Sequence, residues 1–447
     1  MYEIREPVHQ TVSFTGDEAR VVDHPIFQRM RHIRQIGLSY LVYPGATHDR
    51  FTHMLGAMHL AGRVWDSIMR SNEAFLNEAG YGSEDLAYFR KILRYAALLH
   101  DVGHPPFSHA SETLMPHFKT LEMPLEWYRT PDPDRQAEHE DYSVMMISAI
   151  GRDPSTGIGE EMSQDIASLV SGDVKPSDGW RRFTKGKAGD MHAFLKSIIS
   201  GELDVDRMDY LLRDAHFTGV AYGVYDKDHL IRNLGITLVD GHFRLTIDST
   251  AVRAFEDFLL ARYHMFLQVY HHKTTNSFDY FMKRAFAEGE VSVEIPGTVD
   301  GYVALRDSTF HEALFEAASD PKNHWSRRFV YRRPAKRLYE ASADAPETRE
   351  TLKRIVEALK EEDVDHFTIN SHQYISKFET GRKLRQGSSP TMYVREKRLG
   401  KEHLTPIERY SSLLKRYNEA IDIVNLYVLP ENLADALGAI AKHGIKE

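Results

Sequence analysis

Four short segments carry most of the side chains that could do chemistry: Arg50 to His53, the pair His100-Asp101, the run from His104 to His109, and Asp204 to Asp206. In the order His, His-Asp, Asp they offer two neutral imidazoles and two carboxylates. That nitrogen and oxygen donor set suits Fe, Mn, Zn, Ni or Mg. Four protein ligands on a six-coordinate ion leave places for water and a phosphate oxygen. Such an ion lowers the pKa of water and neutralises charge on phosphorus. A lone His-Asp pair arises often by chance among buried polar residues. The ordered set, with Gly-His-Pro-Pro-Phe-Ser-His directly after the pair, is far more specific.

The elements that must position these groups are mostly helical. His100-Asp101 ends an apolar helix of about 85–101, with Phe89, Ile92, Leu93, Ala96 and Leu99 inward, before Gly103 and Pro105-Pro106 force a turn. His53 projects from the start of a helix over about 51–70, with Arg50 three residues earlier on the same face. Asp206 falls in a helical stretch over 190–213, with Tyr210 and Asp214 one and two turns on. Apolar spacing predicts a further helix over 24–36, a loop over 120–136, and helices near 139–150 and 160–171. Alternating runs around Asp240-Gly241 predict a β-hairpin over 234–248. A long helix over 251–286 would place Arg262, Phe266, Tyr270 and Lys273 on one face, cations for a triphosphate beside aromatics for a base. Taken alone, that stripe reads as core aromatics and a surface charge. The fold class is mainly α: a helical catalytic domain over 1–290 and a smaller α+β region over 291–447 packed on it. Phe367 to Ile369 and Ile423 to Val428 are the better strand candidates of that region.

Composition narrows the function. The 447 residues include no cysteine, which excludes disulfides, thiolate nucleophiles and cysteine-held metals. The charged N-terminus has no apolar run and no stretch approaches the roughly 18 apolar residues of a membrane span, so a cytoplasmic protein is expected. The net charge of −9 does not support broad nucleic-acid binding, but a local cationic pocket for a small anion remains open. Histidine is plentiful: 24 residues, bunched between His9 and His139 and again at His264, His271 and His272.

The stretches FQRMRHIRQIG, YPGATHDRFTHMLGAMHLAG, LLHDVGHPPFSH, EHEDYSVMM, LDVDRMDYLLRDAHFTG and YHHKTTN resemble the HD-domain superfamily of phosphohydrolases. Within it they look like the deoxynucleoside triphosphate triphosphohydrolases, both the bacterial enzymes and the catalytic core that follows a sterile-alpha motif in mammals. The resemblance is strongest over about 5–275 and thin beyond about 320. It implies His53, His100, Asp101 and Asp206 as ligands of one divalent ion, with additional Mg accompanying the triphosphate. It implies His109 as the acid or nucleophile partner near the scissile phosphate, with Glu112 standing where close relatives have Asp, and His139 and Glu140 as a second active-site pair. Arg50, His104, Arg207, Tyr210 and Lys273 match triphosphate and sugar contacts, and Arg262 a further triphosphate contact. Asp214 and Tyr270 match base- and sugar-facing positions, and Gln35 the reader of the 3′-hydroxyl beside Tyr210, which crowds the 2′ position.

The implied activity is hydrolysis of dNTPs to deoxynucleoside and inorganic triphosphate by a homo-oligomer, dimer to hexamer. The rival readings are an HD phosphohydrolase acting on a monophosphate, cyclic nucleotide or alarmone, and a nucleotide sensor without turnover. Asp23, Gln28 and Arg31 match guanine-facing residues of a regulatory site in some relatives, although Asp23 also reads as the cap of a helix starting at Pro25. The phosphate-facing basic positions of that site fall on Tyr2, Asp228 and Asp248, so activation by GTP in that form is not expected. The basic run from Arg327 to Arg337 reads as a solvated face.

Overall fold

The computed structural model describes residues 1–342, 345–374, 392–416 and 420–445. It opens with a hairpin, β1 (Tyr2–Glu6) and β2 (Gln10–Phe14), in a stretch to which the sequence assigned no element. The helical core follows. Asp49 caps the 29-residue helix α1 (Arg50–Glu78) by accepting from Thr52 N–H. Helix α2 (Ser83–Leu99) ends at His100, as the Gly/Pro turn requires. Helices α3 (His139–Arg152), α4 (Glu160–Val170), α5 (Met191–Ser200) and α6 (Val205–Thr218) complete the frame around α1 and α2. Next come β3 (Leu234–Val239) and β4 (His242–Asp248), joined by Asp240-Gly241. Both turn residues have positive φ, 50° and 77°, the backbone a two-residue hairpin loop needs and that Gly supplies freely.

Three predicted helices are broken. The stretch 24–36 is helical only to His32, where Ile33 turns extended. The chain there is claimed by distant partners: Arg34 N–H donates to Asp307, and Gln35 N–H to the His48 carbonyl. The stretch 190–213 divides between α5 and α6 at Gly201, and Asp204 caps the second helix. The stretch 251–286 divides into α7 (Val252–Met265), a π turn (Phe266–Tyr270) and α8 (Lys273–Ala287).

The later residues are woven into the same body. After α9 (Asp307–Ala317) and β5 (Lys336–Ser342) come α10 (Pro346–Glu361) and β6 (His366–Tyr374), then β7 (Met392–Arg398), β8 (Lys401–Pro406), β9 (Ala420–Val428) and α11 (Leu433–Lys442). Strand β9 lies between β5 and β6, antiparallel to both, and brings the two predicted strand segments together as Phe367 opposite Tyr427. Strand β7 pairs parallel to β4, so the four-stranded sheet β3-β4-β7-β8 draws on both halves of the chain. One apolar cluster runs from Val12 to Tyr427.

Two glycines permit close approaches near the histidine motif. A Cβ on Gly56 would lie 1.9 Å from Asp209 Oδ1, and one on Gly103 would lie 2.1 Å from Ser143 N and 2.3 Å from the His139 carbonyl. The second contact is with the backbone of α3, which cannot swing aside. Gly103→Ala should therefore cost about 1–3 kcal/mol, the usual penalty of overpacking. Denaturant unfolding checks this, and an unchanged midpoint would show that the start of α3 shifts freely.

Candidate metal centre

His53 sits on the first turn of α1, His100 and Asp101 follow the last residue of α2, and Asp206 lies on the first turn of α6. Three helix ends thus converge. His53 Nε2 is 3.5 Å from Asp101 Oδ2 and 3.2 Å from Asp206 Oδ1. His100 Nε2 is 3.4 Å from an oxygen of each. Donor atoms of all four residues lie within 4.8 Å of one another.

The second nitrogen of each imidazole shows what the first is for. His53 Nδ1–H donates to Asp209 Oδ2 at 2.8 Å, and His100 Nδ1–H to the Ala97 carbonyl at 2.9 Å. Both Nε2 atoms are buried without a hydrogen-bond partner. With the proton fixed on Nδ1, each Nε2 presents a lone pair to the carboxylates opposite, an arrangement that a cation satisfies and that metal-ligating histidines show. The four residues fit a divalent ion. The electrostatics agree: burial opposes a charged His53, yet the carboxylates of Asp101, Asp206 and Asp209 outweigh it and push its pKa well up. Burial likewise opposes ionised Asp101, but His100 and Arg50 hold it well below the carboxylate range. The cluster demands positive charge at its centre.

Arg50 is committed around this centre. Its guanidinium pairs with Asp101, and donates from Nε to Ser108 Oγ at 2.9 Å and from Nη2 to the Gln35 carbonyl at 3.2 Å. Beside it stands a second group, with donor atoms of His104, His109, Glu112 and His139 within 4.8 Å of one another. Glu112 Oε1 is 3.0 Å from His109 Nδ1 and 2.6 Å from His139 Nδ1, so the longer Glu side chain does reach both rings. His104 stacks on His139 at 4.0 Å between ring centres. Burial opposes charge on both partners, yet the pair sustains itself: the two imidazoles hold Glu112 well down, and Glu112 raises His139.

Both groups open on one cavity of about 360 Å³. Gln35, Arg50, His104, Tyr210, Asp214 and Tyr270 lie on its wall, with His109, His139, Asp101 and Asp206. Gln35 Oε1 is buried there without a partner. Asp214 is tightly held: its oxygens accept from Tyr270 Oη at 2.7 Å and pair with His48 Nε2 at 2.7 Å. Burial pushes Tyr210 up to about 12, keeping it neutral.

Four further expected residues stand off the wall and outside both clusters. Arg207 is buried near Tyr210 but donates to the carbonyls of Gly201 and Glu202 at 2.5 and 3.2 Å. Arg262 is buried on α7, within electrostatic reach of Tyr210. Lys273 is exposed at the start of α8, because the π turn and the break at His271-His272 rotate it off the face that a continuous helix would have given. Glu140 is half-buried away from the wall, its carboxyl raised by burial.

Asp209, His9, His48, Ser108 and Asp307 were not singled out by the sequence. Only Asp209 carried a local signal, three residues beyond Asp206 on one helix face. Elsewhere, His24 and not Asp23 caps the helix at Pro25. Arg31 stacks on Phe51 and donates to Gln28 at 2.8 Å. Asp228 pairs with Arg63, and Asp248 accepts from Thr250 N–H. In the basic run, Arg327 and Arg332 donate to the carbonyls of Ala318 and Leu41, and Arg328 and Arg337 pair with Glu431 and Glu340. Among the described residues no helix is long and apolar enough to cross a membrane.

Residues 50–214 match the HD domain and residues 225–375 the HD associated region. An uncharacterized protein of Methanocaldococcus jannaschii is 33% identical over 285 residues, 64% of this chain and 49% of that protein. The deoxynucleoside triphosphate triphosphohydrolase SAMHD1 of Bos taurus is 27% identical over 396 residues, 82% of this chain and 61% of its own. The human protein of that name is 29% identical over 351 residues, 72% and 52%. A crystal structure of a hypothetical protein from Aquifex aeolicus superposes with a TM-score of 0.70 at 26% identity, over 98% of this chain and 99% of that one. The chain spans 49 to 61% of the length of these curated relatives. With the HD ligands assembled at three helix ends, residues 50–214 form an HD domain, followed by the HD associated region.

Proposed function

We propose that this protein is a metal-dependent phosphohydrolase that cleaves deoxynucleoside triphosphates to deoxynucleoside and inorganic triphosphate. The observation that carries this reading is a single cavity with two chemically different sets of residues around it. One set is the His53, His100, Asp101 and Asp206 cluster beside the His109, Glu112 and His139 group. The other is the aromatic wall of Tyr210, Phe266 and Tyr270. Phosphates suit the first, and a sugar and base suit the second. Relatives named triphosphohydrolases, at 27% and 29% identity, point the same way.

A divalent ion held by the four ligands supplies Lewis acidity to a phosphoryl oxygen and acidifies water. Arg50 holds Asp101 in its ligating orientation and adds positive charge to the wall. His109 and His139, linked through Glu112, hold and move the proton that the departing 5′ oxygen needs. Gln35 Oε1 offers its unused lone pairs to the 3′-hydroxyl, and the Tyr210 ring fills the space a 2′-hydroxyl would need. Asp214 fixes the Tyr270 phenol and so shapes the aromatic wall. Catalysis belongs in this assignment to residues 1–290, supported from 291–447.

Three outcomes test the reading. His100→Ala and Asp101→Ala should each lose bound metal and turnover, and chromatography of the wild-type products should show deoxynucleoside with intact triphosphate. Release of monophosphate or pyrophosphate would move the substrate assignment elsewhere. The second outcome concerns pH. Because Glu112 raises His139, the proton stays on the imidazole at pH values where an ordinary histidine has lost it, and activity falls as pH rises through the raised value. Glu112→Gln should shift that alkaline limb to lower pH and cut kcat by about 10²–10⁴-fold. A kcat profile with an unmoved limb would remove the pair from proton transfer. Third, Gln35→Leu should cut kcat/KM for dNTPs about tenfold, the worth of about one neutral hydrogen bond, with no further loss on 2′,3′-dideoxynucleotides. An equal additional loss on the dideoxy substrates would show that Gln35 does not read the 3′ position.

A further inference from the structure

Behind His53 lies a buried polar chain that starts outside the HD domain. Asp209 Oδ2 accepts from His53 Nδ1 at 2.8 Å, and its Oδ1 is 2.6 Å from His9 Nε2. Lys227 Nζ lies 3.2 Å from His9 Nδ1. An ammonium only donates, so His9 Nδ1 is the acceptor and the ring proton sits on Nε2, aimed at Asp209. Arg213 closes the remaining side, with Nε 2.8 Å from Oδ2 and Nη2 2.9 Å from Oδ1 of Asp209. The side chains of His9, Asp209 and Arg213 are all fully buried. Each link fixes the next, and the last sets the proton on His53 Nδ1 and the lone pair on Nε2, toward Asp101 and Asp206.

His9 lies in the turn between β1 and β2, not on the helical frame. Glu6 holds that turn. Its carboxylate accepts from the backbone N–H groups of Val8 and His9, and Arg213 Nη1 reaches it at 2.8 Å. The hairpin and the metal-facing helix are therefore tied to one guanidinium.

We infer that His9 is a positioning residue for the metal centre. By completing the donors around Asp209 it fixes the tautomer and direction of His53, and the N-terminal hairpin becomes part of what retains the ion. His9 touches neither ion nor substrate. The inference rests on the four-residue cluster binding a metal and is independent of which nucleotide is cleaved.

The test uses the full-length chain loaded with Co(II), with affinity read by chelator competition and ligand geometry by the visible spectrum. His9→Leu leaves Asp209 one donor short. Its metal affinity should fall about 10–100-fold, the usual cost of removing an outer-shell partner, with an altered spectrum. His9→Gln places an amide N–H near the position of Nε2 and should restore most of the affinity, whereas His9→Asn, one bond shorter, should not. If His9→Leu does not fold, the contrast between Gln and Asn carries the test alone. Wild-type affinity and spectrum in His9→Leu, or equal loss in Gln and Asn, would overturn the inference. His100→Ala serves as the reference: if it binds Co(II) as the wild type does, the metal assignment itself has failed, and the result does not bear on His9 alone.

Discussion

A carboxylate taken out of water has to be met by donors on every side, and Asp209 is the place where this structure answers that demand. Its partners come from three separate parts of the chain: His53 on α1, Arg213 on α6 and His9 from the hairpin. Satisfying it draws α6 so close to α1 that Gly56 has no room for a Cβ. Once that approach is set, Asp206, three residues before Asp209, has to face the Nε2 edge of His53. The ligand cluster is thus a consequence of packing around a buried ion-pair network, and a small residue on α1 is as necessary to it as the histidine three residues earlier.

The same logic separates residues that hold the site from residues available to a substrate. Arg50 lies on the cavity wall, yet Asp101, Ser108 and Gln35 occupy its three nitrogens. Asp214 lies there too, but Tyr270 and His48 occupy its oxygens. Each can still share a lone pair or a second N–H with a ligand, but their first work is to fix neighbours. Gln35 Oε1 differs, being buried and uncommitted. In a chain of net charge −9, favourable potential for a polyanion has to be local. Here the sources at the wall are Arg50 and the ion that the ligand cluster calls for, since Glu202 and Asp204 offset the buried guanidinium of Arg207.

Much of this was legible in the amino-acid order because the ligands stand at helix ends, where apolar periodicity stops and capping or Gly/Pro signals begin. His100-Asp101 before Gly103 and His53 at the start of its helix are of that kind, whereas the helix end before Asp206 was hidden inside a stretch that reads as one helix over 190–213. The illegible parts depend on partners far along the chain. Nothing local says that Ile33 should leave the helix, because the cause is a carboxylate at Asp307. Nothing local widens the helix at Phe266–Tyr270, and the widening is what removes Lys273 from the expected face. His9 looked like one histidine among 24, since its role needs Asp209 and Lys227, each more than 190 residues away.

The turn that presents His104 and His109 carries the argument one step further. Phe107 and Ser108 both have left-handed backbones, φ 57° and 55°, which non-glycine residues adopt at about 1–3 kcal/mol each. Such a turn persists only where its surroundings over-determine it, and the surroundings lie mostly outside residues 50–214. Tyr302 Oη donates to the Gly103 carbonyl at 2.6 Å, and Arg29 Nη1 to the His104 carbonyl at 2.9 Å. Asp307 Oδ1 accepts from Phe107 N–H at 2.9 Å while its other oxygen takes the N–H of Arg34. Burial pushes Asp307 up to about 6, so those two N–H groups matter for keeping it ionised. A strained histidine-bearing turn held by the segments around residues 29–34 and 302–307 means that the HD motif and its flanks form one structural unit at the site. The motif supplies the histidines, and the flanks supply the geometry that holds them.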